Sequence, residues 1–121
     1  TRVVEKIRSR GEGNFLVEGF RVPIEVELFK KEFSEQFKLV AVTASFETRF
    51  SRASSRNREG EPLTLEAFRN LDNCERGVQP CSGYAYAVDE CVKQADYVIE
   101  NEGSKKEFEE KVERLFESFK K

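Results

Sequence analysis

The chain has 121 residues, 38% of them hydrophobic and 36% charged, enough apolar material for one core and too much for a disordered chain. With 21 basic against 23 acidic residues the net charge is −2, so the basic excess that supports phosphate-backbone binding is missing. That argues against a general nucleic-acid role. No apolar run is long enough to span a bilayer and no secretory pattern is visible, so the expectation is a cytoplasmic domain with no membrane partner.

Glu, Lys and Arg supply most of the charge and His, Met and Trp are absent, a bias shared with proteins of hot habitats, where ion-pair networks gain weight. Without Met, Thr1 follows either initiator removal or the loss of a longer N-terminal segment. The opening TRVVEKIRSRG reads as the middle of a domain, an amphipathic helix with Val3, Val4 and Ile7 on one side and Gly11 as its stop. Next, Phe15-Leu16-Val17 predicts a short apolar strand ending at Glu18-Gly19. Pro23 suits a first helical position, and Ile24, Val26, Leu28, Phe29 and Phe33 continue at helical spacing. Phe37 to Val42 predicts a second strand, of the kind covered on both faces.

Residues 46–56 predict a helix, and Asn57 to Pro62 a polar loop. Thr64 is placed to cap a further helix through Phe68 and Leu71, without the Glu of a full capping box. An irregular stretch over 77–83 leads to a helix over roughly 84–94, then to a third strand at Tyr97-Val98-Ile99. Ser104 and Glu107 form a capping box for the last helix, with Phe108, Val112, Leu115, Phe116 and Phe119 on one face. Apolar runs alternating with amphipathic helices predict an α/β domain with a parallel sheet. No repeat or linker divides residues 1–121.

The cysteines Cys74, Cys81 and Cys91 are spaced C-x6-C-x9-C, which matches no common zinc ribbon or finger. Free thiols are the expectation, with a Cys74–Cys81 disulfide as the alternative.

Three segments carry chemistry. Glu18 and Arg21 follow a strand, where ligands of open α/β sheets bind. A carboxylate there can hold magnesium through water and an Arg can grip phosphate, although a solvated salt bridge explains the same residues. Arg49, Arg52 and Arg56 stand at steps of three and four on one helical face with Arg58 just beyond. Either polyphosphate or the acids Glu47, Glu59 and Glu61 would neutralise them. Ala95 to Ser104 runs from strand through a polar loop to a capped helix, a turn able to present backbone groups to a base.

Together and in this order, these segments resemble the nucleoside-monophosphate-kinase-like group of P-loop kinases, and within it archaeal predicted nucleotide kinases related to adenylate kinase and dephospho-CoA kinase. Phe15 to Arg21 is similar to the strand, Asp-Gly, Arg element, with Glu18 in place of Asp. Arg52-x-x-x-Arg56 and Asn57 to Pro62 look like the entry to a lid, spanning 45–63. Leu63 to Phe68 with Asp72 is similar to the segment after it, although Leu71 stands where relatives often have Arg. Ala95 to Gly103 matches the Ala-Asp, apolar strand, Asn-x-Gly closing motif, whereas Gly77 to Val88 looks longer than its counterpart.

The resemblance implies a three-layer parallel sheet with flanking helices and ATP-dependent phosphoryl transfer to a nucleotide-type acceptor, with Mg2+ and ATP as cofactors. It implies that Arg52, Arg56 and Arg58 line the lid as catalytic groups, that Glu18 stands near the magnesium, that Arg21 contacts the acceptor phosphate, and that Asn101 and Gly103 form the adenine-side loop. The sequence contains no G-x-x-x-x-G-K-[ST], so the first strand and the phosphate-binding loop are not in it. The chain alone is therefore expected to be inactive. In the family that strand lies between those matching 14–18 and 37–42, so here the two pair directly, or receive a strand from a partner chain, a second copy included, or belong to a longer protein that supplies it. The alternative is a non-catalytic anion-binding or oligomerisation module of kinase ancestry.

Overall fold

Helical periodicity governs most of the chain in the computed structural model, which describes residues 2–11, 13–56, 63–80 and 86–119. Helix α1 (Arg2–Arg10) buries Val4 and stops at Gly11, whose φ of 75° turns the chain out of the helix. Arg8 ties it to the next helix by donating to the Glu32 carboxylate at 2.6 Å and the Glu32 carbonyl at 3.0 Å. Helix α2 (Pro23–Phe33) opens on Pro23, whose fixed φ suits a first turn, and buries Val26 and Phe29. A single 3-10 turn, Ser34–Gln36, leads to strand β1 (Val40–Thr43).

The ladder begins later than residue 37 because Phe37 is used otherwise. Its ring packs 5.5 Å from Phe29 and 6.0 Å from Phe20. Strand β2 (Tyr97–Glu100) runs parallel to β1 with Val40 opposite Tyr97 and Thr43 opposite Glu100. Asp96 aligns the two entrances: its carboxylate accepts from Leu39 N–H at 2.8 Å while its own N–H donates to the Leu39 carbonyl at 2.8 Å. The exits are pinned by Asn101 N–H donating to the Thr43 carbonyl at 2.7 Å.

The architecture is α/β, mostly helical, around this small two-stranded parallel sheet. The strand expected at Phe15-Leu16-Val17 does not form, and among the described residues β1 pairs with β2 alone. Direct pairing of 14–18 with the 37–42 run is therefore corrected. A strand exists only through its ladder, and this segment lies against no sheet edge. It is held between Gly13 and Gly19, both at positive φ, with Leu16 86% exposed.

Helix α3 (Phe46–Arg56) has the bounds that its pattern predicts. Helix α4 (Leu65–Arg76) is capped by Thr64, whose hydroxyl accepts from Ala67 N–H at 3.1 Å, and runs a turn past Leu71 to end at Gly77. Helix α5 (Val88–Lys93) leaves out residues 86, 87 and 94 of the 84–94 expected, of which 84 and 85 lie outside the described residues. Its start is held back at Ala87, whose N–H donates to the Arg21 carbonyl at 2.7 Å instead of joining a helix. Helix α6 (Lys105–Phe119) is capped by Ser104, which accepts from Glu107 N–H at 3.1 Å.

The core gathers Val26, Leu39 and Cys91, with Phe20, Phe37 and Ala95 around them. Val26 is wholly buried, a contribution of about 2 kcal/mol for a side chain of that size. Cys91 is a free thiol, as expected, but Cys74 is disulfide-bonded, which corrects the expectation of free thiols there. Gly77 in the left-handed conformation folds the chain back over the end of α4, where Val78 and Gln79 N–H both donate to the Asn73 carbonyl. Spacing in sequence does not reveal that return. Among the described residues no helix is long and apolar enough to cross a membrane.

Candidate functional site

Both strands of the sheet end at the same side, and parallel strands leave unpaired backbone and helix starts at their carboxyl ends. A cleft of about 390 Å³ opens there. Thr43 and Ala44 leave β1 and Asn101 leaves β2. One wall is α3 with Arg49, Arg52 and Arg56, and the other is α4 with Phe68, Asp72 and Glu75. The walls are joined below by Phe46, Phe50 and Phe68, whose ring centroids lie 5.4 to 6.4 Å apart.

The arginine stripe divides into three different jobs. Arg49 is bound internally: Nε donates to the Ala44 carbonyl at 3.0 Å, and Nη1 and Nη2 grip the two oxygens of Asp72. Asp72 is buried and also faces Arg76 at 3.9 Å, which in turn meets Asp89 at 3.0 Å. Asp89 raises the Arg76 pKa above its ordinary value. An ionic line thus runs from α3 through α4 to α5.

Arg52 is half-buried and oriented, with Nη1 donating to the Asn101 carbonyl at 2.6 Å and Nη2 to the Gly103 carbonyl at 3.2 Å. Arg56, one turn further, is exposed on the cleft and has no ion pair among the described residues. Two neighbouring guanidinium groups, one of them oriented, form a charged lip suited to an anion with several oxygens.

The loop after β2 is fastened from a second direction. The Glu102 carboxylate accepts from Ser45 N–H, and from the Thr48 hydroxyl at 3.2 Å, at the start of α3. The Ser45 N–H holds the Glu102 carboxyl below its ordinary pKa, with the Thr48 hydroxyl and the Arg52 charge acting in the same direction.

The structure therefore gathers Arg52, Arg56 and Asn101 in one cleft, with the Gly103 carbonyl bound to Arg52. Arg21 stands one residue removed, paired with Glu75 of the cleft wall at 3.5 Å and lying over the Tyr86 ring. Glu18 is exposed and does not line the cleft. Arg58 lies outside the described residues, as does most of the 57–63 part of the lid-like segment. Sequence reasoning missed Asp72, Glu75 and Glu102 as site residues. Asp72 is 23 positions from Arg49 and Glu102 is 57 from Ser45, so no local pattern pairs them. Among the described residues no group of three His, Cys, Asp or Glu converges to hold a metal. The acids of the cleft, Asp72 and Glu75, are both engaged by arginines.

The stretch from β1 through α3 and α4 to the Asn101 loop lies within the region shared with known proteins. A UPF0200 protein of Pyrococcus furiosus is 36% identical over 115 residues, covering 93% of this chain and 58% of that protein. The chain is similar to archaeal UPF0200 proteins. One from Hyperthermus butylicus is 38% identical over 114 residues, covering 94% of this chain and 56% of its own length. A UPF0200/UPF0201 protein of Archaeoglobus fulgidus is 32% identical over 116 residues, or 94% of this chain and 33% of that one. The chain thus spans between a third and three-fifths of the length of these relatives. The UPF0200 names state no activity. No family model matches the chain, and no solved structure matches it.

Proposed function

We propose that the cleft is a nucleotide phosphate site, and that the chain is the nucleotide-kinase-like part of a phosphotransferase. In this reading ATP-dependent phosphoryl transfer to a nucleotide-type acceptor requires a further segment carrying the first strand and phosphate-binding loop. That strand would lie along the free edge of β1 and complete a three-layer P-loop-kinase-like sheet. The observation that carries the reading is that oriented Arg52 stands beside Arg56, which has no ion pair among the described residues, at the carboxyl ends of two parallel strands. Phosphoryl transfer asks a protein mainly for position and charge neutralisation, which two adjacent guanidinium groups supply. Mg2+ would arrive bound to the nucleotide. Glu18 would serve the metal and Arg21 the acceptor phosphate once a further strand completes the sheet.

Calorimetric titration of the chain with magnesium-ATP tests this, repeated with the Arg52→Ala, Arg56→Ala double variant. We expect binding by the native chain and at least a tenfold loss in the variant, the scale of one charge-assisted contact removed. Equal affinity in the two, or no binding by either, sinks the phosphate-site reading.

A second reading has its own support. Among the described residues the sheet has two strands and leaves Val42 52% and Val98 56% exposed, which suits an assembly module whose edges pair with another chain. Phosphorylation of any nucleotide acceptor, by the chain or by a complex containing it, would favour the enzyme over the module.

A further inference from the structure

We propose that Glu102 is a positioning residue for Arg52, an inference that rests on the phosphate-site reading above for its ligand but not for its geometry. The segment Asn101-Glu102-Gly103 is fastened to α3 at three points that alternate along three consecutive residues. Arg52 donates to the carbonyls of Asn101 and Gly103, and between them the Glu102 side chain reaches back to Ser45 N–H and the Thr48 hydroxyl. Ser45 and Thr48 are themselves joined, hydroxyl to hydroxyl at 2.9 Å, and Thr48 N–H donates to the Ser45 hydroxyl at 3.2 Å. The carboxylate therefore meets a prearranged pair of donors at the end of α3 where the helix dipole favours negative charge.

The consequence is geometric. A guanidinium can be oriented by two carbonyls only if those carbonyls are themselves fixed. Asn101 is fixed by its N–H bond to the Thr43 carbonyl. Gly103 has no such bond among the described residues and carries no side chain, so the Glu102 anchor one residue earlier sets where its carbonyl points. The Glu107 carboxylate lies against Gly103, where an added Cβ would meet its Oε2. With Glu102 detached, Arg52 keeps the Asn101 carbonyl and loses the second constraint. Its guanidinium then swings about one hydrogen bond instead of being held by two. Glu102 thus acts on the cleft through Arg52 without lining it.

Two measurements on the whole chain test this. The first needs no ligand: solvent exchange of the Arg52 guanidinium protons, followed by nuclear magnetic resonance in native, Glu102→Ala and Glu102→Gln proteins. Loss of one of two bonds is expected to speed exchange about threefold or more in the Ala variant. The Gln variant keeps an acceptor oxygen for Ser45 N–H and stays near native. Glu102→Asp, which retains charge but shortens the reach, gives the same readout should the Ala variant not fold.

The second is a cycle of magnesium-ATP affinities over Arg52→Ala, Glu102→Ala and the double variant. Glu102→Ala alone is expected to weaken binding about fivefold. In the Arg52→Ala background it is expected to add less than about twofold. Unchanged Arg52 exchange in the folded Glu102→Ala variant, or in Glu102→Asp where the Ala variant does not fold, overturns the inference, as do losses that simply add. If Arg52→Ala leaves affinity untouched, the phosphate-site reading fails instead, and the exchange measurement still decides the role of Glu102.

Discussion

Asp72 is the residue whose removal the structure prices most clearly. It is buried, accepts both Nη donors of Arg49, and lies 3.9 Å from Arg76. Breaking a fully buried ion pair by deleting one partner costs about 3–5 kcal/mol, because the other charge is left without compensation. Here the Arg49 side chain is 35% exposed, so water re-solvates it in part and the expected cost of Asp72→Ala falls to about 2 kcal/mol. For a chain of 121 residues, unfolding entropy of about 2.1 cal/mol/K per residue converts this to a melting point lower by about 8 °C. Thermal unfolding followed by far-ultraviolet circular dichroism measures it, and urea unfolding with an unchanged slope confirms that stability alone has moved. Arg49→Ala completes a cycle. If the Arg49–Asp72 pair is the source of the cost, the double variant is destabilised by clearly less than the sum of the single ones. A shift under about 2 °C, or strict additivity, would refute the view that this pair holds α3 to α4.

Two further outcomes follow from single residues. Gly77 has φ of 89°, and an added Cβ would lie 3.0 Å from the Ala87 Cα and the Tyr86 carbonyl oxygen. Gly77→Ala should therefore cost about 1–2 kcal/mol in urea unfolding, while a stability equal to native would mean that the turn is not needed in this form. Burial raises the Cys91 thiol above its ordinary pKa, with Glu25 and Glu90 adding to the effect. A group protonated more firmly in the folded than the unfolded chain lends stability below the ordinary thiol value and loses it as pH rises past that value. Cys91 should accordingly resist alkylation at pH 8 until the chain is unfolded; modification at the rate of an exposed thiol in the folded protein contradicts its burial.

Local signals were readable wherever one residue decides the matter. Pro23 at a first turn, Thr64 and Ser104 as caps, and the arginine spacing of α3 all appear in the structure as the sequence predicts them. The strand ladder was less legible, since Phe37 and Phe15 belong to equally apolar runs. One turns its ring into the core, and the other has no edge to join. Within the cleft, Arg52, Arg56 and Asn101 could be named from their motifs. The partners that fix them could not, because Glu102 and Asp72 act across separations of 57 and 23 residues on backbone and side chains that only tertiary packing brings near. Nor does a helical stripe of three cations reveal that its first member is already neutralised internally while its last has no ion pair among the described residues.

The parallel register bears on how the molecule assembles. Val40 and Tyr97 are partners across nearly half the chain, and closing a loop of roughly 50 residues costs about 3.5 kcal/mol of chain entropy. That closure must be offset by helices α3, α4 and α5, which all lie inside the loop it closes. Arg52 reaches the carbonyls of Asn101 and Gly103 only once the two strand ends have met. The complete cleft is thus a late product of folding, and whatever slows the meeting of β1 with β2 delays the contacts that orient Arg52.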